Sequence, residues 1–315
     1  MWKQGNHFVS LSSGRCHVRV DGPSRGTPLL LIHGATVPGW EFERIIPYLK
    51  EAGFRVVCPD LFGHGDSDRP DTRYDTALFV RQLEDLLYAL SFDQRVHLLG
   101  HSLGCVIAAH LVVRNARYYG NVAFVAPMLD FASERRAMRV LELPVVGEAL
   151  MHAYALPMLV RRRRRGYRHI ENGQFPARFE AQLRVPGFGR ALLSLIRSGI
   201  LGDQSDCYRL LDSTANSIGV FRGSDDGIFS GAQLDRLRNC ITRARIVEIE
   251  GTPHSVLLTH PERIAPLLTG FFLQSHSAAC WRSLRADSTI LASPPDSAMA
   301  RSARLLAASN SPPAN

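Results

Sequence analysis

The chain has 315 residues, 45% hydrophobic and 21% charged, which excludes a collagenous, fibrous or wholly disordered protein. Its formal net charge is +8, carried almost wholly by dispersed arginine, because Lys3 and Lys50 are the only lysines. The single dense run, Arg161 to Arg165, sits in no nucleic-acid-binding motif, so nucleic acid is not an expected partner. Its simplest meaning is a solvated helix face.

Six cysteines stand at 16, 58, 105, 207, 240 and 280, and no two form a Cys-x-x-Cys pair. Zinc and dithiol readings therefore lack support, and a reduced, intracellular compartment is expected. The N-terminal segment has no basic start followed by an apolar run, and no stretch reaches about 18 apolar residues. These features lead to the expectation of a cytoplasmic protein without a transmembrane segment.

In chain order, residues 7–11 and 15–20 read as a hairpin joined by Ser-Ser-Gly. The apolar run PLLLIH (28–33) predicts a strand buried on both faces. Helical spacing follows over 40–51, then a second buried strand, FRVVCP (54–59). Leu78, Phe79, Leu83, Leu86, Leu87 and Leu90 share one helical face over 76–90. A strand at 95–100, an apolar helix at 103–114 and a strand at 121–126 continue the alternation. It resumes with a strand at 217–222, a helix near 232–239, a strand at 245–249 and a helix from Pro261 to about Gln274. Strand and helix in strict alternation imply parallel strands with crossover helices, hence a doubly wound sheet.

Between about 129 and 211 the alternation stops. Helical patterns broken by Pro144, Gly147, Pro157, Gly166, Pro176, Pro186 and Gly187 predict a helical insertion that caps the sheet. The sequence thus divides into core 1–128, cap 129–211, core 212–274, and a Ser-, Ala- and Pro-rich tail 275–315 expected to be mostly disordered.

The chemistry concentrates at three sheet-edge turns. Gly100-His101-Ser102-Leu103-Gly104 follows a buried strand and opens an apolar helix. A sharp strand-to-helix turn needs small neighbours, and the helix N-terminus favours negative charge beside the serine. Gly223-Ser224-Asp225-Asp226 follows the strand at 217–222, and Gly251-Thr252-Pro253-His254 follows the strand at 245–249. A hydroxyl, a carboxylate and an imidazole at sheet-edge turns, in the order Ser, Asp, His, fit a nucleophile, an orienting acid and a general base. Ser102 and His254 are the candidates for nucleophile and base, with His260 a weaker rival more suited to capping the last helix. Asp226, three residues after Gly223, is the preferred acid, while Asp225 and Asp130 stay open as alternatives. His101 reads as a structural or pocket residue. An oxyanion hole needs two backbone N–H donors, for which Leu103 and Ala35 are the candidates.

The segments LLLIHGATVPGWEF (29–42), PDLFGHGDSDRP (59–70), LLGHSLG (98–104), FRGSDDGIF (221–229) and EGTPHSVLLTHPE (250–262) resemble the α/β-hydrolase superfamily. The likeness is to bacterial capped esterases and to the C–C hydrolases of aromatic degradation. It implies an α/β-hydrolase fold, a mostly parallel doubly wound sheet with a helical cap, and a structural role for Arg69 and Pro70. Serine at 102 departs from haloalkane dehalogenases and epoxide hydrolases, which use a carboxylate there. The Gly-His-Ser-Leu-Gly string followed by Cys105 also differs from the Gly-Asn-Ser-Met-Gly-Gly common in C–C hydrolases.

The leading expectation is a serine hydrolase that cleaves small to medium, largely apolar carboxylic esters through an acyl-enzyme, with no metal or organic cofactor. C–C bond hydrolysis of ring-cleavage products by the same triad comes second, and a non-catalytic receptor or scaffold third. A small-molecule ester is the expected partner, and homo-oligomerisation is left open.

Overall fold

The computed structural model describes residues 3–131, 139–167, 170 and 174–273. Contacts divide the chain into two units, Met1–Thr269 and Gly270–Asn315. Of the second, only Gly270–Leu273, the end of a helix, is described, so the expected tail from 275 lies outside the described residues.

The first unit is built on an eight-stranded sheet: β1 (Gly5–Leu11), β2 (Gly14–Asp21), β3 (Thr27–Ile32), β4 (Phe54–Pro59), β5 (Val96–His101), β6 (Tyr119–Val125), β7 (Ile218–Gly223) and β8 (Arg245–Ile249). The spatial order is β1-β2-β4-β3-β5-β6-β7-β8. β1 and β2 form the hairpin, and β2 joins β4 antiparallel. Every other pairing is parallel. The continuous apolar runs follow from this arrangement, because a strand covered on both faces has no solvent side to make polar. Leu29, Leu30, Leu31 and Ile32 are fully buried, as are Val57, Leu98 and Leu99.

Three helices flank the early strands: α1 (Ile46–Glu51), α2 (Thr76–Leu90) and α3 (Leu103–Asn115). α2 matches the expected span. Its N-cap Asp75 accepts a hydrogen bond from the Leu78 N–H at 3.0 Å, and Ser91 closes it in the left-handed region. α3 is buried on most sides.

The helix expected over 40–51 is instead a 3-10 turn, Gly39–Phe42, followed by the short α1. Pro47 lies in the first turn of α1, the place in a helix that tolerates its missing N–H, so the helix starts there rather than running through it.

Between β6 and β7 the described residues hold helices and turns. They are α4 (Val146–Leu150), a π-helical turn Met151–Ala155, α5 (Leu156–Gly166), α6 (Gln174–Leu183), α7 (Phe188–Ser198) and α8 (Ser205–Asp212). After β7 come α9 (Gly231–Cys240), a short α10 (Val256–Thr259) and α11 (Pro261–Leu273). α10, directly after His254, had no distinct signal in the sequence. No described helix is long and apolar enough to cross a membrane. The five described cysteines are buried and unpaired.

Candidate active site

Ser102 stands between β5 and α3 with φ 51° and ψ −113°, a conformation that costs a non-glycine residue of order 1–3 kcal/mol. Neighbouring bonds hold it there. The Ser102 N–H donates to Val125 O at 3.0 Å, and Ser102 O accepts from Cys105 N at 3.1 Å. Two glycines make the turn feasible. A Cβ on Gly100 would lie 2.6 Å from Cys105 N, and one on Gly104 would lie 2.0 Å from Ile32 O. These close approaches are the physical basis of the Gly-x-Ser-x-Gly string. Gly104→Ala should therefore cost about 3 kcal/mol, the upper part of the overpacking range. A thermal melt of that variant matching the parent would contradict this packing.

The acid and base turns are bonded to each other. Ser224 N donates to Ile249 O at 3.0 Å and Asp225 N to Thr252 O at 3.0 Å. Gly251 N donates to Ser224 Oγ at 2.7 Å. A Cβ on Gly223 would lie 2.0 Å from Thr252 O, so glycine is needed where the two loops meet. Asp226 N closes a tight turn on Gly223 O at 3.2 Å, and this turn directs the Asp226 side chain inward.

Asp226 Oδ2 accepts from His254 Nδ1 at 2.8 Å, and Oδ1 accepts from the Ile228 and Phe229 N–H groups, both at 2.8 Å. Burial alone would raise the Asp226 pKa. The His254 hydrogen bond and charge, with the two backbone donors, outweigh it and hold the carboxyl below its ordinary value. Burial pushes His254 the other way, below the usual imidazole pKa, and outweighs the pull of Asp226. His254 is thus a neutral imidazole whose Nδ1–H faces a carboxylate, leaving the Nε2 lone pair as its basic site. No direct hydrogen bond joins Ser102 Oγ to His254 among the described residues.

The rival candidates lie elsewhere. Asp225 is exposed and accepts from Ser224 Oγ at 2.8 Å. Asp130 is ion-paired with Arg236 at 3.2 Å. His260 Nδ1 meets Thr259 Oγ1 at 2.8 Å, at the start of α11.

The loop after β3 carries Ala35, and histidines brace it. His33 Nε2 accepts from Leu61 N at 2.8 Å while Nδ1 donates to Gly34 O at 2.8 Å. That pattern requires a neutral ring, and burial accordingly lowers the His33 pKa. His64 Nε2 contacts Ala35 O at 2.9 Å, and burial pushes its pKa down to about 4. Gly34, the residue before Ala35, lies against Ser102, since a Cβ on it would sit 3.5 Å from Ser102 Cβ, and Leu103 is the next residue.

Glu41, which the sequence did not single out, and His101, read there as a structural or pocket residue, complete the neighbourhood. Glu41 is 2% exposed; its Oε1 accepts from Gly34 N at 2.9 Å and its Oε2 pairs with His101 Nδ1 at 3.0 Å. His101 Nε2 meets His254 O at 3.1 Å. For Glu41 the only hint in the sequence is its place between Trp40 and Phe42.

Four arginines of the 161–165 run are exposed, as a solvated face requires. Arg163 differs, because it turns inward. It donates to Tyr167 OH at 2.7 Å and to Thr36 Oγ1 at 3.0 Å, and Tyr167 OH contacts Ser255 Oγ, next to His254. Arg178 makes paired 2.9 Å bonds to Glu43 and lies over Trp40, 4.6 Å from its ring centroid. Arg69 bonds Ser67 O and Gly65 O, a structural use within its loop.

His17, Asp60 and Asp66 are the one group of potential metal ligands found close together among the described residues. Asp60 already accepts from His17 Nδ1 at 2.8 Å, Gly39 N at 2.8 Å and Asp66 N at 3.0 Å. Those bonds tie β2 and the turn before Trp40 to the 60–68 loop.

The fold is shared with known proteins. Residues 29–267 match the model of the alpha/beta hydrolase family, and the chain belongs to that family. A soluble epoxide hydrolase from Corynebacterium sp. (strain C12) is 33% identical over 110 residues, 35% of this chain and only 37% of that one. A non-heme chloroperoxidase from Streptomyces lividans is 25% identical over 277 residues, covering 79% of this chain and 93% of the relative. The crystal structure of the enol-lactonase from Burkholderia xenovorans LB400 superposes with a TM-score of 0.72 at 18% identity, over 85% of this chain and 100% of that one.

Proposed function

We propose that the protein is a serine hydrolase of carboxylic esters, with Ser102 as nucleophile, His254 as general base and Asp226 as the orienting acid. The observation that carries this reading is the 2.8 Å bond from His254 Nδ1 to a fully buried Asp226 carboxylate, in a chain whose Ser102, held at φ 51°, follows His101, whose ring bonds the His254 main chain.

His254 Nε2 takes the proton of Ser102 as Oγ attacks the ester carbonyl. The N–H groups of Ala35 and Leu103 receive the oxyanion. Leu103 opens α3, so its N–H has no partner in the helical ladder. As the tetrahedral intermediate collapses, His254 Nε2–H gives its proton to the leaving alkoxide and an acyl-serine remains. Water then attacks the acyl carbon while His254 accepts its proton, and His254 passes that proton to Ser102 Oγ as the acyl–Oγ bond breaks and the acid leaves. In this reading the helices between β6 and β7 form a cap over the site, at about 129–211. The bonds of Arg163 to Thr36, Tyr167 to Ser255 and Arg178 to Glu43 hold that segment to the loops around the triad.

A hydrolysis screen of graded-chain esters, lactones and a ring-cleavage diketone tests the substrate class. Turnover of esters is expected. Cleavage of the diketone alone would replace this reading with C–C hydrolysis.

The lowered His254 pKa also fixes the sign of a pH effect. The base form persists below the ordinary imidazole value of 6.5 and is lost only as pH falls through the lowered one. The acid limb of kcat/KM should therefore be centred below pH 6.5. A limb centred above 7 would count against His254 as the titrating base.

A further inference from the structure

Behind the triad, three segments converge on one pair of side chains, Glu41 and His101, neither of which the proposed mechanism uses. Both are buried, at 2% and 6% exposure. Each polar atom of the pair has a partner from a different part of the site. Glu41 Oε1 takes the Gly34 N–H of the loop before Ala35, at 2.9 Å. Glu41 Oε2 meets His101 Nδ1, one residue before Ser102, at 3.0 Å. His101 Nε2 meets the main-chain oxygen of His254 at 3.1 Å.

These partners determine where protons sit. A carbonyl oxygen only accepts, so His101 Nε2 must carry a proton to bond to His254 O. Nδ1 faces a carboxylate oxygen, which also accepts. Two acceptors alone do not charge a ring, since His64 faces the Phe62 and Ala35 carbonyls and burial still lowers its pKa to about 4; at His101 one acceptor is the Glu41 carboxylate, whose charge favours the imidazolium. His33, one strand away, is the contrasting case, since its Nε2 accepts from Leu61 N and its ring must be neutral.

We propose that Glu41 and His101 are positioning residues, a buried carboxylate–imidazolium clamp that sets the relative places of the oxyanion loop, the Ser102 turn and the His254 main chain. By occupying the Gly34 N–H, Glu41 leaves the Ala35 N–H as the loop's donor for an oxyanion. The clamp is net neutral but polar, with its positive end toward the base: the His101 and His254 ring centroids lie 5.1 Å apart. The groups around His101 are Glu41 on the 3-10 turn, His254 after β8, Asp226 after β7 and His33 at the end of β3. Burial works against charge on His101, but the Glu41 charge and hydrogen bond win and raise its pKa. The positive ring in turn helps to hold His254 neutral.

The role in catalysis rests on the reading of His254 as the base, whereas the proton on His101 does not, so two measurements separate them. The first is a titration of ¹⁵N-histidine-labelled full chain from pH 5 to 9. The His101 ring is identified by its nuclear Overhauser contacts to Gly34 and His254. Both ring nitrogens should remain protonated through pH 8. A bare ring nitrogen on His101 at pH 7 overturns the clamp, whatever reaction the protein catalyses.

The second measurement uses Glu41→Gln/His101→Gln. Two amides can still accept from Gly34 N and donate to His254 O without the lone buried charge that either single change would leave. If Ser102 and His254 are the catalytic pair, kcat should fall roughly tenfold with KM within about twofold. The acid limb of kcat/KM should rise by about half a pH unit as the positive end of the clamp is removed. A folded double variant with parental kcat and an unmoved limb overturns the positioning role. Parental activity in Ser102→Ala would instead overturn the functional reading and leave the ¹⁵N result standing.

Discussion

Ser102→Ala is expected to lower ester turnover by about 10⁵–10⁶-fold while leaving the fold intact, because a triad acts as a unit and loses most of its effect with its nucleophile. The variant removes one oxygen from a residue whose main chain, not its side chain, holds the turn. Ser102 N bonds Val125 O, Ser102 O accepts from Cys105 N and Met128 N, and alanine keeps all three bonds. Alanine also keeps the positive φ, so its melting temperature should stay close to that of the parent. The informative comparison is kcat on one ester, alongside labelling by a fluorophosphonate. The parent should be labelled at Ser102 and the variant should not be labelled at all. Turnover within tenfold of the parent, or a probe adduct mapped to another serine, would sink the assignment.

The sheet was legible because parallel strands leave a distinctive trace. PLLLIH is apolar at five successive positions, and FRVVCP and RVHLLG carry runs of two to four buried apolar residues, because β3, β4 and β5 lie in the middle of a sheet with little wet face. The Ser102 and Asp226 turns were legible for a related reason: each follows a buried strand and carries a glycine that close backbone contact requires. Gly104 meets Ile32 O and Gly223 meets Thr252 O, so glycine marks both places where backbones touch.

What escaped the sequence was pairing across long stretches of chain. Nothing local to Glu41 announces a partner sixty residues on, and one acid in a Trp-Glu-Phe string looks like any turn residue. The arginine run misled in a similar way. Its composition suggests one solvated face, but helical rotation turns Arg163 toward Thr36 and Tyr167 while its neighbours stay in water. The expected helix over 40–51 failed because apolar spacing carries no record of where Pro47 forces a start.

Asp226→Asn tests the orienting acid, and the local bonds determine how the amide must lie. Asp226 Oδ1 accepts from the Ile228 and Phe229 N–H groups, so the amide oxygen must take that position. Its NH₂ is then left facing His254 Nδ1. Two donors cannot share one bond, so the imidazole must turn its Nδ1 lone pair to the amide and move its proton to Nε2. That tautomer has no lone pair toward Ser102, and the charge that would stabilise the imidazolium formed during attack is also gone. The loss in kcat should approach ~10⁴-fold, the scale of the same change in serine-protease triads. Asp225→Asn should stay within about twofold, because an exposed side chain bonded to Ser224 Oγ lies outside this exchange. Asp130→Asn weakens the ion pair with Arg236 and should be equally mild. All three variants are compared with the parent on one ester at one pH, with thermal melts to exclude unfolding. A crippled Asp130→Asn beside a near-normal Asp226→Asn would move the acid to the end of β6. It would leave Ser102 and His254 in place, and the 2.8 Å contact between Asp226 and His254 would then be a structural bond rather than a catalytic one.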